Sequence, residues 1–447
     1  MKSLKIAAAL VSAVALIASS GCSGSGSDDN TVKVAYEKFG NFQAADTLMK
    51  RVKKEMKKTH PDATIKLVPI QAKENDYYTK LALMERSPST APDVIYEDTF
   101  QIKSDVAAGH LLALDKYLKG WKGWNQFVTK SKQAGLGVDG KTYGVPMGTD
   151  TRVLWYNKKL LKKAGVSVPW QPKNWHDILA TAKKVQTAEP KVMGLNVFSG
   201  KSAGEASTMQ GFEMLLYGTG DTLYKDKKWV LGSQGFKDSL KFIQTLYKKH
   251  LGPSAKQSLD TQIQNTVPGS WMPKGKIAIS LDGSWLPSTW IKGGAAEWPA
   301  WDKTLGTALM PTQNGQGPGF TSMSGGWTLS VGKDTKAPKL AFDVIKTALN
   351  EKNSTKFDIG NSQIAVRKDV ASDPKYTKSD SSFGKTSKAV QYTHYRPATE
   401  DYPKISNKIQ VAMEAVMTGQ QTPAQAAAAY DKAVIEIVGK KHTTTGK

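Results

Sequence analysis

Apolar and polar positions alternate through residues 31–36, TVKVAY, and then the period changes. Phe42, Ala45, Met49, Val52 and Met56 recur at helical spacing, with Arg51 and lysines on the other faces. Alternation predicts a half-buried strand, and the longer period an amphipathic helix. The switch repeats: THPDATIKLVPI reads as a second strand, ENDYYTKLALMER as a second helix and APDVIYED as a third strand. Strands alternating with helices imply an α/β chain with a mostly parallel sheet. Ligands of such sheets meet the loops beyond the carboxyl ends of the strands, here residues 37–41 and 97–100.

Residues 143–165, YGVPMGTDTRVLWYNKKLLKKAG, change character twice. An apolar approach to Pro146 is followed by a polar pause, 148–152, and then by a buried strand, 153–156. Asn157 caps a basic helix, 158–164, which Gly165 closes. A strand interrupted by Gly, Thr, Asp and Arg cannot bury that middle cheaply, which predicts a crossing between two compact bodies beside a cleft. The 447 residues also exceed what one core usually serves. Further helices are predicted at 175–186, 205–217, 236–249, 337–349, 405–417 and 423–438, and strands at 193–199 and 275–281. Thr422, Pro423 and Gln425 form a capping-box start for the last helix. The residues after Gly439, KKHTTTGK, read as a frayed tail, 441–447.

Residues 1–22 read as a secretory signal: Lys2 and Lys5, an apolar run over 6–17, small residues, then Cys22. Cys22 is the sole cysteine, which excludes a disulfide framework and a thiolate metal cluster. Its setting resembles the lipobox of bacterial lipoproteins, where the thiol receives a lipid, although Ser19 stands where Leu is commonest and plain cleavage stays open. Residues 23–31 then form a flexible polar tether. The net charge of +23 raises nucleic acid as a partner, but only five of the 62 basic residues are Arg, and the lysines spread over helix faces. That pattern argues for a solvated surface and against a phosphate reader.

The chemistry motifs are weak. Residues 135–140 match a dinucleotide fingerprint but run on into another strand-like stretch instead of opening a helix. Gly200-Lys-Ser202-Ala-Gly204 matches a nucleophile elbow without an informative acid or His, and reads equally as a helix-start loop. The six His are scattered singly, so no metal site and no cofactor is expected.

In order along the chain, PDVIYED, AAGHLLALD, the 143–165 stretch, KGKIAISLDGSW and TSMSGGWTLSV resemble extracellular solute-binding proteins of carbohydrate ABC transporters, the group that includes maltose-binding proteins. The resemblance covers Val32 to about Val438. It implies a type II-like periplasmic-binding-protein fold of two lobes, each a mostly parallel sheet flanked by helices, joined by hinge crossings. Lobe one would comprise 32–147 and 330–352, and lobe two 148–329 and 353–440. It also implies a non-catalytic, monomeric receptor on the extracytoplasmic face, held by lipid at Cys22, that hands sugar to permease subunits. A glycan-processing hydrolase and a tethered glycan-binding adhesin are the competing readings.

A pyranose presents apolar C–H faces and a rim of hydroxyls, so its site needs aromatic platforms and paired hydrogen-bonding groups. Trp285 and Trp327 stand where the family's platforms occur, with core packing as the alternative for each. Asp98, Asp150 and Arg152 lie at strand ends on the expected cleft, where they either bind ligand or form a bridging ion pair. Tyr36, Phe39, Asn41, Trp271, Asp282, Gly326, Tyr395 and Arg396 complete the candidates.

Overall fold

The computed structural model describes residues 29–40, 42–72, 74–379 and 382–446. The signal, Cys22, most of the tether and Asn41 lie outside the described residues. Strands β1 (Thr31–Glu37), β2 (Thr64–Ile70), β3 (Val94–Asp98) and β4 (Gly144–Pro146) precede the crossing. Strands β5 (Arg152–Asn157), β6 (Met193–Asn196), β7 (Ile277–Gly283) and β8 (Leu305–Ala308) follow it, and β9 (Trp327–Val331) comes last. They form two sheets, ordered β2-β1-β3-β9-β4 and β8-β5-β7-β6.

Helix α1 (Ala44–Thr59) buries Ala45, Leu48, Met49, Val52 and Met56 against the first sheet's core, with Asp46 in its first turn and Lys57 and Lys58 in its last, the polarity the helix dipole favours. Helices α2 (Glu74–Glu85) and α3 (Ile102–Ala107) flank β3 in sequence. Leu154, Leu195, Phe212, Ile279 and Ile409 belong to the larger core around the second sheet. The Asn157 side chain accepts from the amides of Lys159 and Leu160, and Thr422 and Gln425 form the expected capping box.

Several expectations need correction. The sheets are mixed: β1 pairs in parallel with β2 and β3, but β9 is antiparallel to both β3 and β4. In the second sheet only β6 and β7 pair in parallel, because β5, which lies between β8 and β7, runs antiparallel to both. Trp327 to Leu329 pair in the first sheet, not the second. Residues 353–366, expected in lobe two, pack with lobe one: Phe357 and Val366 sit in its core, and Val128 N donates to Val366 O. Asn350 caps the helix Glu351–Gly360 directly after the helix Pro338–Ala348, so a short connection keeps the chain on that side. The tail is not frayed. Thr443–Thr445 pair in parallel with Lys228–Leu231, whose free edge accepts β-branched residues well.

Candidate functional site

The polar pause of the first crossing is buried after all, because a second crossing satisfies its polar groups. Ser324 Oγ donates to Asp150 O at 2.7 Å, Thr149 Oγ1 to Gly325 O at 3.0 Å, and Gly325 N to Asp150 Oδ1 at 2.9 Å. Ser322 Oγ accepts from Arg152 N at 2.9 Å and donates to Arg152 O at 3.0 Å. Ile364 exchanges two backbone hydrogen bonds with Thr149, at 2.9 and 2.8 Å. Gly326 closes the second crossing at φ +135°, and a Cβ there would come within 2.5 Å of Gly148 O, so this position admits only glycine.

A cleft of about 800 Å³, partly open to solvent, lies against these crossings. Its aromatic lining is Phe42, Tyr96, Trp285 and Trp327, and its polar lining includes Glu37, Asp98, Asp150, Arg152, Glu205, Gln210, Gln264, Asn361, Gln363 and Arg396. Trp327 opens β9 in the first sheet and stacks on Tyr96, 4.2 Å between centroids and 12° between planes. Trp285 follows β7 in the second. Both indoles are half-buried. Gly283 makes room for one of them: a Cβ on it would lie 2.1 Å from the Trp285 ring.

Each arginine is held between a carboxylate and a ring. Arg152 pairs with Asp150, and its guanidinium lies 4.6 Å from the Trp285 centroid. Arg396 donates to Asp98 Oδ1 at 2.6 Å, lies 4.2 Å from the Phe100 centroid and reaches Glu205 Oε1 at 3.5 Å. Tyr78 OH donates to the other Asp98 oxygen at 2.8 Å, and Tyr402 OH and Ser406 Oγ both donate to Glu205 at 2.6 Å. Arg396 thus ties β3 of the first sheet to the core of the second. Burial works against its charge, but Asp98 and Glu205 outweigh burial and hold its pKa above the ordinary value. Burial raises the Glu205 carboxyl, with Arg396 opposing. Burial also pushes Asp282 up to about 7, against the Gly283 amide and Arg152.

Of the residues expected from sequence, Trp285, Trp327, Asp98, Asp150, Arg152, Gly326 and Arg396 come together on this cleft. Asp282 lines an adjoining hollow that shares Phe42, Gln210, Gln264 and Trp285 with it. Others lie elsewhere. Tyr36 is in the first core, its hydroxyl donating to Asp46 at 2.9 Å, because strand parity turns it inward and gives the cleft to Glu37. Phe39 bridges back to Phe42, which lines the cleft instead. Trp271 packs on the core cluster that contains Trp155 and Trp290, and Tyr395, 50% exposed, lines a separate hollow with Phe100 and Val128. Ser202 of the elbow-like motif donates to Leu259 O at 2.7 Å and is not part of the cleft lining. Among single residues the expectation missed Glu37, inside the flagged loop 37–41, Phe42, one position beyond that loop, and Tyr96, two positions before the end of β3. It also missed Glu205, Gln210, Gln264, Asn361 and Gln363, which carry no local signal and reach the cleft only through tertiary packing.

A model of the bacterial extracellular solute-binding protein family matches residues 40–355. The chain belongs to this family. Among relatives of this solute-binding protein, a probable ABC transporter-binding protein of Deinococcus radiodurans is 26% identical over 386 residues, 84% of this chain and 87% of the relative. The galactooligosaccharide-binding protein of Bacillus subtilis is 25% identical over 344 residues, 77% and 76% of the two chains. The structure of an ABC transporter solute-binding protein from Thermotoga lettingae, bound with α-D-tagatose, superimposes with a TM-score of 0.78 at 24% identity, covering 92% of this chain and all of that one. The fold is therefore that of two-lobe solute-binding proteins, and family membership places the molecule outside the cytoplasm. The relatives named are binding proteins and not enzymes.

Proposed function

We propose that this solute-binding protein captures a short soluble oligosaccharide in the cleft and delivers it, unconverted, to the permease of an ABC importer. The observation that carries this reading is the pair of half-buried indoles, one from each sheet, lining one cleft beside two buried arginines. Flat rings suit the C–H faces of a pyranose, while the carboxylates and amides around them suit its hydroxyl rim. Arg152 Nε is buried and has no acceptor among the described residues, and a ligand hydroxyl would supply one. Relatives named for galactooligosaccharide and maltodextrin fit the same chemistry. Lobe closure about the crossings at 148–151 and 324–326 would trap the ligand.

We further infer that the protein acts as a monomer and that lipid on Cys22 tethers it to the extracytoplasmic face of the cell membrane. A sole cysteine behind an apolar signal supports the tether. Calorimetric titration with mono- and oligosaccharides, followed by chromatography of the incubated sugars, tests capture without conversion. One-site binding and intact sugar are expected. Product formed in proportion to protein would overturn the reading.

A further inference from the structure

Behind β3, on the face away from the cleft, four ionisable side chains from four segments converge. They are Glu85 at the end of α2, Glu97 of β3, Asp105 of α3 and His110 of the loop that follows. Glu97 is 0% exposed and Glu85 6%, yet among the described residues neither carboxylate accepts a well-formed hydrogen bond from a backbone amide or a hydroxyl, and their polar neighbours are Asp105 and His110. His110 Nδ1 lies 3.3 Å from Glu85 Oε2 and 3.5 Å from Asp105 Oδ1, and one ligand atom from each of these three residues falls within 4.8 Å of the other two. The strand neighbours Glu97 and Asp98 take opposite faces, so Asp98 meets Arg396 on the cleft side while Glu97 faces Asp105 and Glu85.

We propose that Glu85, Asp105 and His110, with Glu97 beside them, form a binding site for a divalent transition-metal ion of the zinc type inside lobe one. Three carboxyl groups gathered in a buried space repel one another, and the His110 imidazole beside them offsets at most one of the three charges. A dication removes that conflict. Ligand atoms about 2.0–2.1 Å from a tetrahedral ion lie about 3.3–3.4 Å from each other, which matches the two spacings at His110 Nδ1. The imidazole nitrogen favours zinc or a similar ion over calcium, which takes six to eight oxygens. Sequence spacing gives no hint of this group, because its members are separated by 12, 8 and 5 positions and fall on unrelated elements. The ion would pin α2 and α3 to the strand that carries Tyr96 and Asp98, so its role would be to stiffen the cleft's first wall.

The test uses the mature protein stripped with chelator, then titrated with zinc chloride and, in parallel, with calcium chloride. About one Zn²⁺ per chain, by calorimetry and by metal analysis after gel filtration, is expected, with a rise of several degrees in melting temperature. Co²⁺ in place of zinc should give the visible absorption of a low-symmetry tetrahedral site. His110→Gln and Glu85→Gln should each weaken zinc by more than about 100-fold, while circular dichroism of the metal-free chain stays as in the parent. Glu97→Gln keeps the volume and should weaken zinc less. No zinc on the parent chain, tighter binding of calcium, or unchanged zinc affinity in folded His110→Gln and Glu85→Gln would each overturn the proposal.

Discussion

Replacing Trp285 by Ala separates a ligand platform from a packing residue. The ring is half-buried without ligand, leans on the second-lobe cluster around Trp290 and sits 4.6 Å from the Arg152 guanidinium. Part of its surface is therefore already used, and its cation–π contact contributes about 0.5–2 kcal/mol. A ligand-free stability loss of about 1–2 kcal/mol follows, short of the roughly 3–5 kcal/mol for a wholly buried tryptophan. The remaining face is covered only when a sugar is present. Losing that contact should cost about 1–3 kcal/mol of affinity, roughly ten- to hundredfold in Kd. The assay is thermal unfolding with and without the best sugar of a calorimetric panel, because the sugar-induced rise in Tm reports binding to the native state. Trp285→Ala should melt a few degrees lower without sugar and lose most of the sugar-induced rise. A large fall without sugar, with the rise retained, would refute the platform and remove one half of the paired-indole argument.

Other substitutions probe the ion pairs, the buried acids and the anchor. Arg396→Ala leaves Asp98 and Glu205 buried without their shared cation and should cost about 3–5 kcal/mol in urea unfolding; a loss below about 1 kcal/mol would mean that Arg396 does not hold the sheets together. Burial, then Glu205, pushes Glu213 up from 4.5 to about 8, so the folded chain keeps a proton that the unfolded chain releases. Its contribution is full below about pH 4.5 and is lost as pH rises toward 8. Glu213→Gln stays neutral and should flatten the decline in urea midpoint between pH 5 and 8, and an unchanged slope would contradict the buried-acid assignment. Cys22→Ala should shift the protein from the membrane fraction to the medium or stall signal removal, and identical partitioning with full cleavage would exclude lipidation.

The sequence carried the elements whose causes are local. Asn157 and Thr422 cap their helices because capping needs only a side chain and the next few amides. The crossing at 148–152 was visible as an interruption, but its burial was not, since Ser322 and Ser324, which satisfy it, lie 170 and 174 positions from the residues they meet. Asp98, Trp285 and Trp327 were legible because they stand at strand ends. Tyr36 was misplaced by one residue of strand parity, a choice fixed by what packs on each face. The amides Gln210, Gln264, Asn361 and Gln363 were not legible at all, as nothing in their own segments distinguishes a cleft-lining amide from a solvated one. Thr443–Thr445 read as tail because the edge they pair with, Lys228–Leu231, is remote in the chain.

Calorimetric titration of the mature protein with a panel of mono- and oligosaccharides tests the central claim most directly. The account predicts that at least one short soluble sugar binds at a single site per chain, is recovered intact afterwards, and loses roughly ten- to hundredfold in affinity in Trp285→Ala. Binding of none of the sugars by the folded parent protein, or recovery of a converted sugar, would contradict it.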